Sequence, residues 1–343
     1  MTGTGLGTRD SRLRPGPGGA AEARSAKAPE LDPDAPLRVA VVGVGHLGRH
    51  HARILSAMDG VALVAVVDLV RERADEAAAK TGARAMTDFR PLLGDIDAVT
   101  VAVPTVAHLE VAQAFLERGA GVLVEKPMAA SLAEADALVS AAAASGAVLA
   151  VGHTERFNPA VQVIAPLVTT PRFVEVHRLG AFPDRSLDID VVFDLMIHDL
   201  DVILSIVRSD LATVDAVGVP VLTDRVDIAN ARLRFESGCV ANVTASRISR
   251  DRVRKLRFFQ PDMYISVDYA EQEVEGWRLV RTAGARPGIE GGRLPVERRE
   301  PLALEMADFV RAVREKSRPL VTGEDGRRAL ALATRIAERM TTG

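Results

Sequence analysis

Cysteine is almost missing from this chain, with Cys239 the one example in 343 residues. A lone thiol excludes an intramolecular disulfide and any cysteine-rich zinc or iron-sulfur centre, and it suits a reducing cytoplasm. Its plainest role is that of a small apolar residue inside a strand. Long apolar runs are missing too. Stretches such as Val61 to Val67 are interrupted by charge well before the roughly 18 to 20 residues of a membrane-spanning helix. The net charge of −3 gives no electrostatic pull toward nucleic acid or an anionic membrane, so neither is expected as a partner. Small soluble ligands come to the front instead. Residues 1–36, rich in Gly, Pro and Ala, lack the continuous apolar core of a signal peptide and read as a disordered extension.

What is present is ordinary for a globular protein of two domains: 48% hydrophobic and 26% charged residues over 343 positions. From Leu37 onward, short Val- and Ala-rich runs alternate with amphipathic stretches. The runs Leu37–Val42, Leu63–Val67, Ala98–Val103, Gly121–Val124 and Ala147–Val151 have the texture of strands buried on both faces. Between them, 47–57, 71–80, 106–117 and 131–144 are expected to be crossover helices. Ser131 followed by Glu134 is a capping-box signature at the start of the last of these. The pattern predicts an α/β fold with a doubly wound parallel sheet.

After about residue 155 the alternation stops. One long helix, about Val191 to Arg208, is followed by strand-like runs at 212–221, 228–235, 239–246, 255–260, 263–269 and 274–281, then by helices at 302–316 and 324–340. This predicts a C-terminal α+β domain carrying an open, mostly antiparallel sheet. Its outer face, if apolar, calls for cover by a second copy, so a homodimer or homotetramer is expected. The domain limits that follow are 37–155, 156–320 as the substrate-binding and oligomerisation part, and 321–343 as a helix packing back on the first domain.

Gly43-Val44-Gly45-His46-Leu47-Gly48 follows the first strand directly and opens a helix. In that context GxGxxG is a dinucleotide-binding turn of the Rossmann type. Gly43 permits the turn, Gly45 admits a pyrophosphate at the helix N-terminus, and Gly48 lets helix and strand approach. Asp68, twenty residues past Gly48 at a strand end, supplies a carboxylate for ribose hydroxyls and repels a 2′-phosphate, which favours NAD over NADP. Ligands collect at the carboxyl ends of such strands. The loops there carry Pro104, Thr105 and His108, then Glu125, Lys126 and Pro127, then the segment from Gly152 to Asn158.

In the expected helix, Asp194, His198, Asp201 and Ser205 fall on one stripe among apolar residues. A polar seam on an otherwise apolar helix suits the wall of a cleft better than a core, because burying such groups without partners is costly. A metal held by His and Asp four apart finds no further ligands at suitable spacing, so none is expected. Oxidising a secondary alcohol needs a hydride acceptor on one side of the carbon and a base on the other. His198 can take the proton, Lys126 can stabilise the developing alkoxide, and Asp194 can orient the ring or hold a neighbouring hydroxyl. Together these residues point to an enzyme acting on CH–OH groups.

GVGHLGRHH with His51, the strand ending at Asp68, PTVAH, the EKP of 125–127 and the D-x-x-x-H of 194–198 together resemble the Gfo/Idh/MocA oxidoreductases. The resemblance runs from Leu37 almost to the C-terminus. It implies a dinucleotide held between the domains, Lys126, Asp194 and His198 as the catalytic set, and a dimer or tetramer built on the open sheet. GHTERFNPAV, FDLMIHDLDVIL and RKLRFFQPDMYISVDY are similar to a branch that oxidises the 3-hydroxyl of UDP-N-acetylglucosamine, whose keto product feeds amino-sugar synthesis for lipid A or surface glycans. There, Arg156 and Asn158 are candidate contacts to diphosphate or sugar. Another polyol such as myo-inositol is the alternative substrate, and an NAD-binding regulator without turnover is the alternative of another class.

Overall fold

The Val- and Ala-rich runs do form strands, because β-branched side chains pack well on a pleated surface covered from both sides. Element order is β1 (Leu37–Val42), α1 (Gly48–Ser56), β2 (Val61–Val67), α2 (Arg71–Thr81), β3 (Arg84–Met86), β4 (Ala98–Val101), α3 (His108–Leu116), β5 (Gly121–Glu125), α4 (Leu132–Ser145) and β6 (Leu149–Gly152). The computed structural model describes Met1 and residues 35–182, 189–281 and 286–341. Most of the extension at 1–36 lies outside these residues. The six strands are parallel in the order β3-β2-β1-β4-β5-β6, so the strand order reverses between β1 and β4 and opens a crevice at their carboxyl ends. Strand β3 was not expected; three edge residues are too few to show a period. At α4, the Ser131 hydroxyl accepts from Glu134 N–H, but the Glu134 carboxylate takes the N–H of Ala130 instead of Ser131. Half the expected capping box therefore forms there.

The second domain contains α5 (Pro159–Ile164), β7 (Phe173–Leu179), α6 (Ile197–Val207), β8 (Leu211–Val219), β9 (Ile228–Phe235), β10 (Val240–Ser246), β11 (Val253–Gln260), β12 (Met263–Asp268), β13 (Glu273–Val280), β14 (Gly288–Leu294), α7 (Pro301–Glu315), α8 (Gly323–Arg339) and β15 (Met340–Thr341). Its sheet runs β14-β13-β12-β11-β7-β10-β9-β8-β15 and is antiparallel except at β7/β10 and β8/β15. Strand β7, at the centre, was missed although Phe173-Val174-Glu175-Val176 alternates cleanly in burial. One sheet face packs against α5, α6 and α8 through Val176, Leu233, Val243, Phe258, Ile203 and Ala333.

The other face departs from the expectation of an apolar surface. Asn230–Thr244, Arg232–Asn242 and Arg257–Glu175 bridge it as polar pairs, beside a small aromatic group of Phe173, Phe259 and Tyr264. These strands spend their apolar side chains on the helix face, and the period of two leaves polar ones outside.

Helices α7 and α8 tie the two halves together. Met306, Phe309, Val310 and Val313 of α7 pack on the first sheet with α1, close enough that a Cβ on Gly121 of β5 would stand 2.4 Å from Val313. Helix α8 begins with a complete capping box, Thr322 with Asp325. It gives Leu330 to the first domain's core and Ala329, Leu332, Ala333 and Ile336 to the second.

Candidate active site

The glycine-rich turn is shaped by contact as well as by conformation. Gly43 adopts φ +86°, and a Cβ there would meet the Ala102 backbone at 2.6 Å; a Cβ on Gly48 would stand 1.7 Å from the Gly43 oxygen. Gly45 is different: a Cβ there meets nothing within 4 Å, so its backbone borders open space beside His46 and the exposed Leu47 at the start of α1. A close turn at Gly43 and Gly48 with open space over Gly45 fits a pyrophosphate approaching main-chain N–H groups. Asp68 accepts from Val44 N–H at 3.1 Å and Val70 N–H at 2.9 Å, which fixes its carboxylate beside the turn.

Substituting Asp68 by serine should weaken NAD binding about tenfold, the worth of roughly one charge-assisted hydrogen bond, while raising affinity for NADP. Fluorescence titration with both cofactors reads this directly. An unchanged NAD-to-NADP ratio would show that the carboxylate does not read the ribose.

The loops at the strand ends are tied to one another. Pro104 caps a short 3-10 turn, Thr105–Ala107, which leads to His108. His108, expected to border the cofactor, is buried with Nε2 2.9 Å from the Val103 oxygen and Nδ1 3.0 Å from the Pro127 oxygen. Its ring thus joins the loop after β4 to the loop after β5, where the Lys126–Pro127 peptide is cis. Burial lowers its pKa, while the carbonyl oxygens facing its two nitrogens work in the opposite direction. Glu125 closes β5 as a buried carboxylate 3.1 Å from His51 Nε2. Burial works against ionisation, but His51 and Lys126 hold the Glu125 carboxyl below its usual range. Burial and the Glu125 charge push the nearby Glu305, hydrogen-bonded to Thr154, well up. The EKP segment therefore presents Lys126 from a braced base.

Lys126 reaches across to the second domain. Its Nζ donates to the Asp194 main-chain oxygen at 2.6 Å and to Asp194 Oδ1 at 3.3 Å. The expected straight helix is a π-turn over Val192–Met196 followed by α6. Such turns shift main-chain carbonyls out of the regular ladder and are frequent at functional sites. The turn is anchored from the sheet side, where Val191 N–H donates to the Val226 oxygen and Asp190 Oδ1 accepts from Val226 N–H.

His198 follows in the first turn of α6. Its Nδ1 is buried without a hydrogen-bond partner among the described residues. Burial, with the positive charges of Lys126 and Arg178, holds the imidazole well below its usual range. Beside it lies His153, also buried, with ring centroids 6.3 Å apart and planes at 89°.

The rest of the expected seam does not face the cleft. Asp201 is enclosed and pairs with Arg156 at 3.3 Å, and the Ser205 hydroxyl donates to the Val202 oxygen. Arg156 and Asn158, expected to touch substrate, are used internally. Arg156 also donates to the Leu320 oxygen. Asn158 caps α5 through Ala160 N–H and donates to Glu155 and the Tyr269 oxygen. A buried amide or guanidinium takes such partners because leaving them unpaired costs more than exposing them.

Two further groups escaped the sequence. Asp199 is fully buried and receives both Nε and Nη2 of Arg178 at 2.6 and 2.9 Å, with Glu155 on the same guanidinium at 3.0 Å. Arg254 stands directly opposite Arg178 across the β7/β11 pair, so its side chain leaves the same sheet face. It forms no ion pair among the described residues, and its charge acts on His198. Its signal lay in RKLRF, where alternation puts Arg254, Leu256 and Phe258 on one face. No group of three or more metal-binding side chains occurs among the described residues, and no helix there is long and apolar enough to cross a membrane.

A parallel sheet with a dinucleotide turn, facing a second domain that lends an Asp and a His to one lysine, defines an oxidoreductase class. Residues 37–153 match the model of the Gfo/Idh/MocA oxidoreductase family, NAD-binding Rossmann fold, and residues 170–263 match the Gfo/Idh/MocA C-terminal domain. The chain belongs to the Gfo/Idh/MocA family and is an NAD-dependent oxidoreductase. It is 40% identical to UDP-N-acetylglucosamine 3-dehydrogenase of Acidithiobacillus ferrooxidans over 88% of this chain and 96% of that one. A solved structure of that enzyme superposes with a TM-score of 0.83 at 38% identity, covering 89% of this chain and 97% of the other. Myo-inositol 2-dehydrogenase of Thermotoga maritima is 27% identical over 86% of this chain and 94% of its own. Levoglucosan dehydrogenase in complex with NADH shares the fold, with a TM-score of 0.78 at 20% identity over 88% and 96% of the chains.

Proposed function

We propose that this enzyme oxidises the 3-hydroxyl of UDP-N-acetylglucosamine to the 3-keto nucleotide sugar. The carrying observation is the joining of Lys126 to Asp194 at 2.6 and 3.3 Å, close enough to His198 that the Lys126 charge acts on its ring. His198, neutral, accepts the hydroxyl proton on Nε2. The Lys126 ammonium stabilises negative charge growing on that oxygen, and Asp194 fixes where the ammonium points. NAD, held by Gly43, Gly45, Gly48 and Asp68 with the loops of Pro104, Thr105 and Glu125 to Pro127, supplies the hydride acceptor. His46 and Leu47 flank the pyrophosphate position. Residues 37–155 serve as the cofactor domain and 156–320 as the substrate domain, with α7 and α8 as shared struts. Arg254, without an ion pair among the described residues and on the same sheet face as Arg178, takes the substrate diphosphate. A homodimer or homotetramer over the outer sheet face accompanies this reading, joined through mixed polar and aromatic contacts.

NADH formation should be most efficient with UDP-N-acetylglucosamine, against myo-inositol and glucose. Arg254→Ala should raise KM for it about tenfold or more with kcat little changed, as for loss of a ground-state phosphate contact. Faster turnover of either free polyol would replace this reading by the alternative that the inositol-enzyme relative suggests.

The pH profile follows from the His198 shift. With its pKa held well below 6.5, the base is already neutral at pH 6.5, and activity is lost only on acidification through the lowered value. The acid limb of kcat/KM should therefore lie clearly below 6.5. A limb at or above 6.5 that disappears in His198→Ala would contradict it.

A further inference from the structure

A second cavity, of about 1120 Å³, lies at the opposite end of α6 from His198, among Ser205, Arg208, the 318–320 linker and α8. Seven arginines and three aspartates line it, with Asp201, Asp136 and Glu315 just outside the lining supplying further carboxylates to Arg156, Arg327 and Arg311. Four of the seven are accounted for: Arg156 pairs with Asp201, Arg311 with Asp308, Arg327 with Asp136 and Arg328 with Asp325. Arg208, Arg318 and Arg335 meet no carboxylate among the described residues. Among the described residues, Arg208 and Arg335 reach main-chain oxygens, of Ser205 at 3.5 Å and Ala212 at 3.3 Å. Arg208 also holds the left-handed C-cap of α6 at φ +49°, a conformation that glycine takes at less cost.

Like charges gathered around a concave surface repel one another and focus a positive field into it, so the arrangement is stabilised by an anion and disfavoured without one. Guanidinium groups match phosphate oxygens in geometry and charge, and the volume exceeds what inorganic phosphate needs. We propose that this cavity is a binding site for a diphosphate-bearing anion of the nucleoside diphosphate class, separate from the sugar cleft. It is linked to that cleft mechanically: Arg156 lines the cavity and pairs with Asp201, one turn beyond His198 on α6.

Calorimetric titration of the NAD-saturated full chain with inorganic pyrophosphate tests this. Saturable binding should appear at low ionic strength and weaken as salt is added. Arg318→Glu, at an exposed position, and the pair Arg318→Ser with Arg335→Ser should each weaken it at least about tenfold with NAD affinity unchanged. Arg254→Ala should leave it intact. Uridine diphosphate should compete with pyrophosphate, and uridine should not. The proposal falls if pyrophosphate does not bind up to millimolar concentration, if the Arg318 variants bind it as the parent does, if Arg254→Ala abolishes binding, or if uridine competes equally.

Discussion

Lys126→Ala is expected to lower the rate of NADH formation by about two to four orders of magnitude, the range for loss of an electrostatic stabiliser acting on a developing oxyanion. NAD affinity should fall less than the rate, because the glycine turn and Asp68 hold the cofactor from other loops even though Lys126 lies on a loop that borders it. The effect should appear in kcat and kcat/KM together, as for a group whose contribution grows toward the transition state. His198→Ala should fall in the same range, and the double variant should lose little more than either single one, since both act on one hydroxyl. Stopped-flow measurement of the first turnover separates this step from product release. A Lys126→Ala enzyme with intact NAD binding and parental single-turnover rate would remove the lysine from the chemistry.

Arg178→Met carries the largest expected cost in stability. It would leave Asp199, fully buried, and Glu155 without the guanidinium that binds both. Breaking a buried pair from one side costs about 3 to 5 kcal/mol, because a carboxylate remains in a poor solvent. At roughly 2 to 4 °C per kcal/mol, the thermal midpoint should drop by about 10 °C. The pair Arg178→Met with Asp199→Leu should recover a large part of the loss, since no lone charge stays behind. If the single variant melts as the parent does, the pair is not a structural anchor of α6. The same guanidinium lies over the Tyr269 ring, 5.1 Å from its centroid, so part of the loss is packing.

The parallel sheet was legible because buried β-branched runs and a 3.6-residue period leave distinct marks along a chain. Leu37–Val42 and Ile228–Phe235 match the observed strands residue for residue. Short or edge elements left no such mark, as with β3 and β15. In the site, chemistry and the polar seam on an apolar helix singled out Lys126, Asp194 and His198, and the structure brings Lys126 to Asp194. Partners chosen from distant segments were not: His108 with Pro127, Arg156 with Asp201, and Arg178 with Asp199 are separated by 19, 45 and 21 residues.

Those pairings divide what each level decides. By itself the sequence determined a glycine turn that only a close helix and strand require, an acidic strand end, and a lysine and a histidine suited to moving a proton. Each of these rests on local geometry, set by residues within a turn or two. The tertiary structure alone decided which internal partners Arg156 and Asn158 take, that Arg254 forms no ion pair among the described residues, and that Lys126 is aimed at Asp194. A polar side chain settles on whichever partner the fold brings within about 3 Å, and desolvation makes that choice costly to reverse.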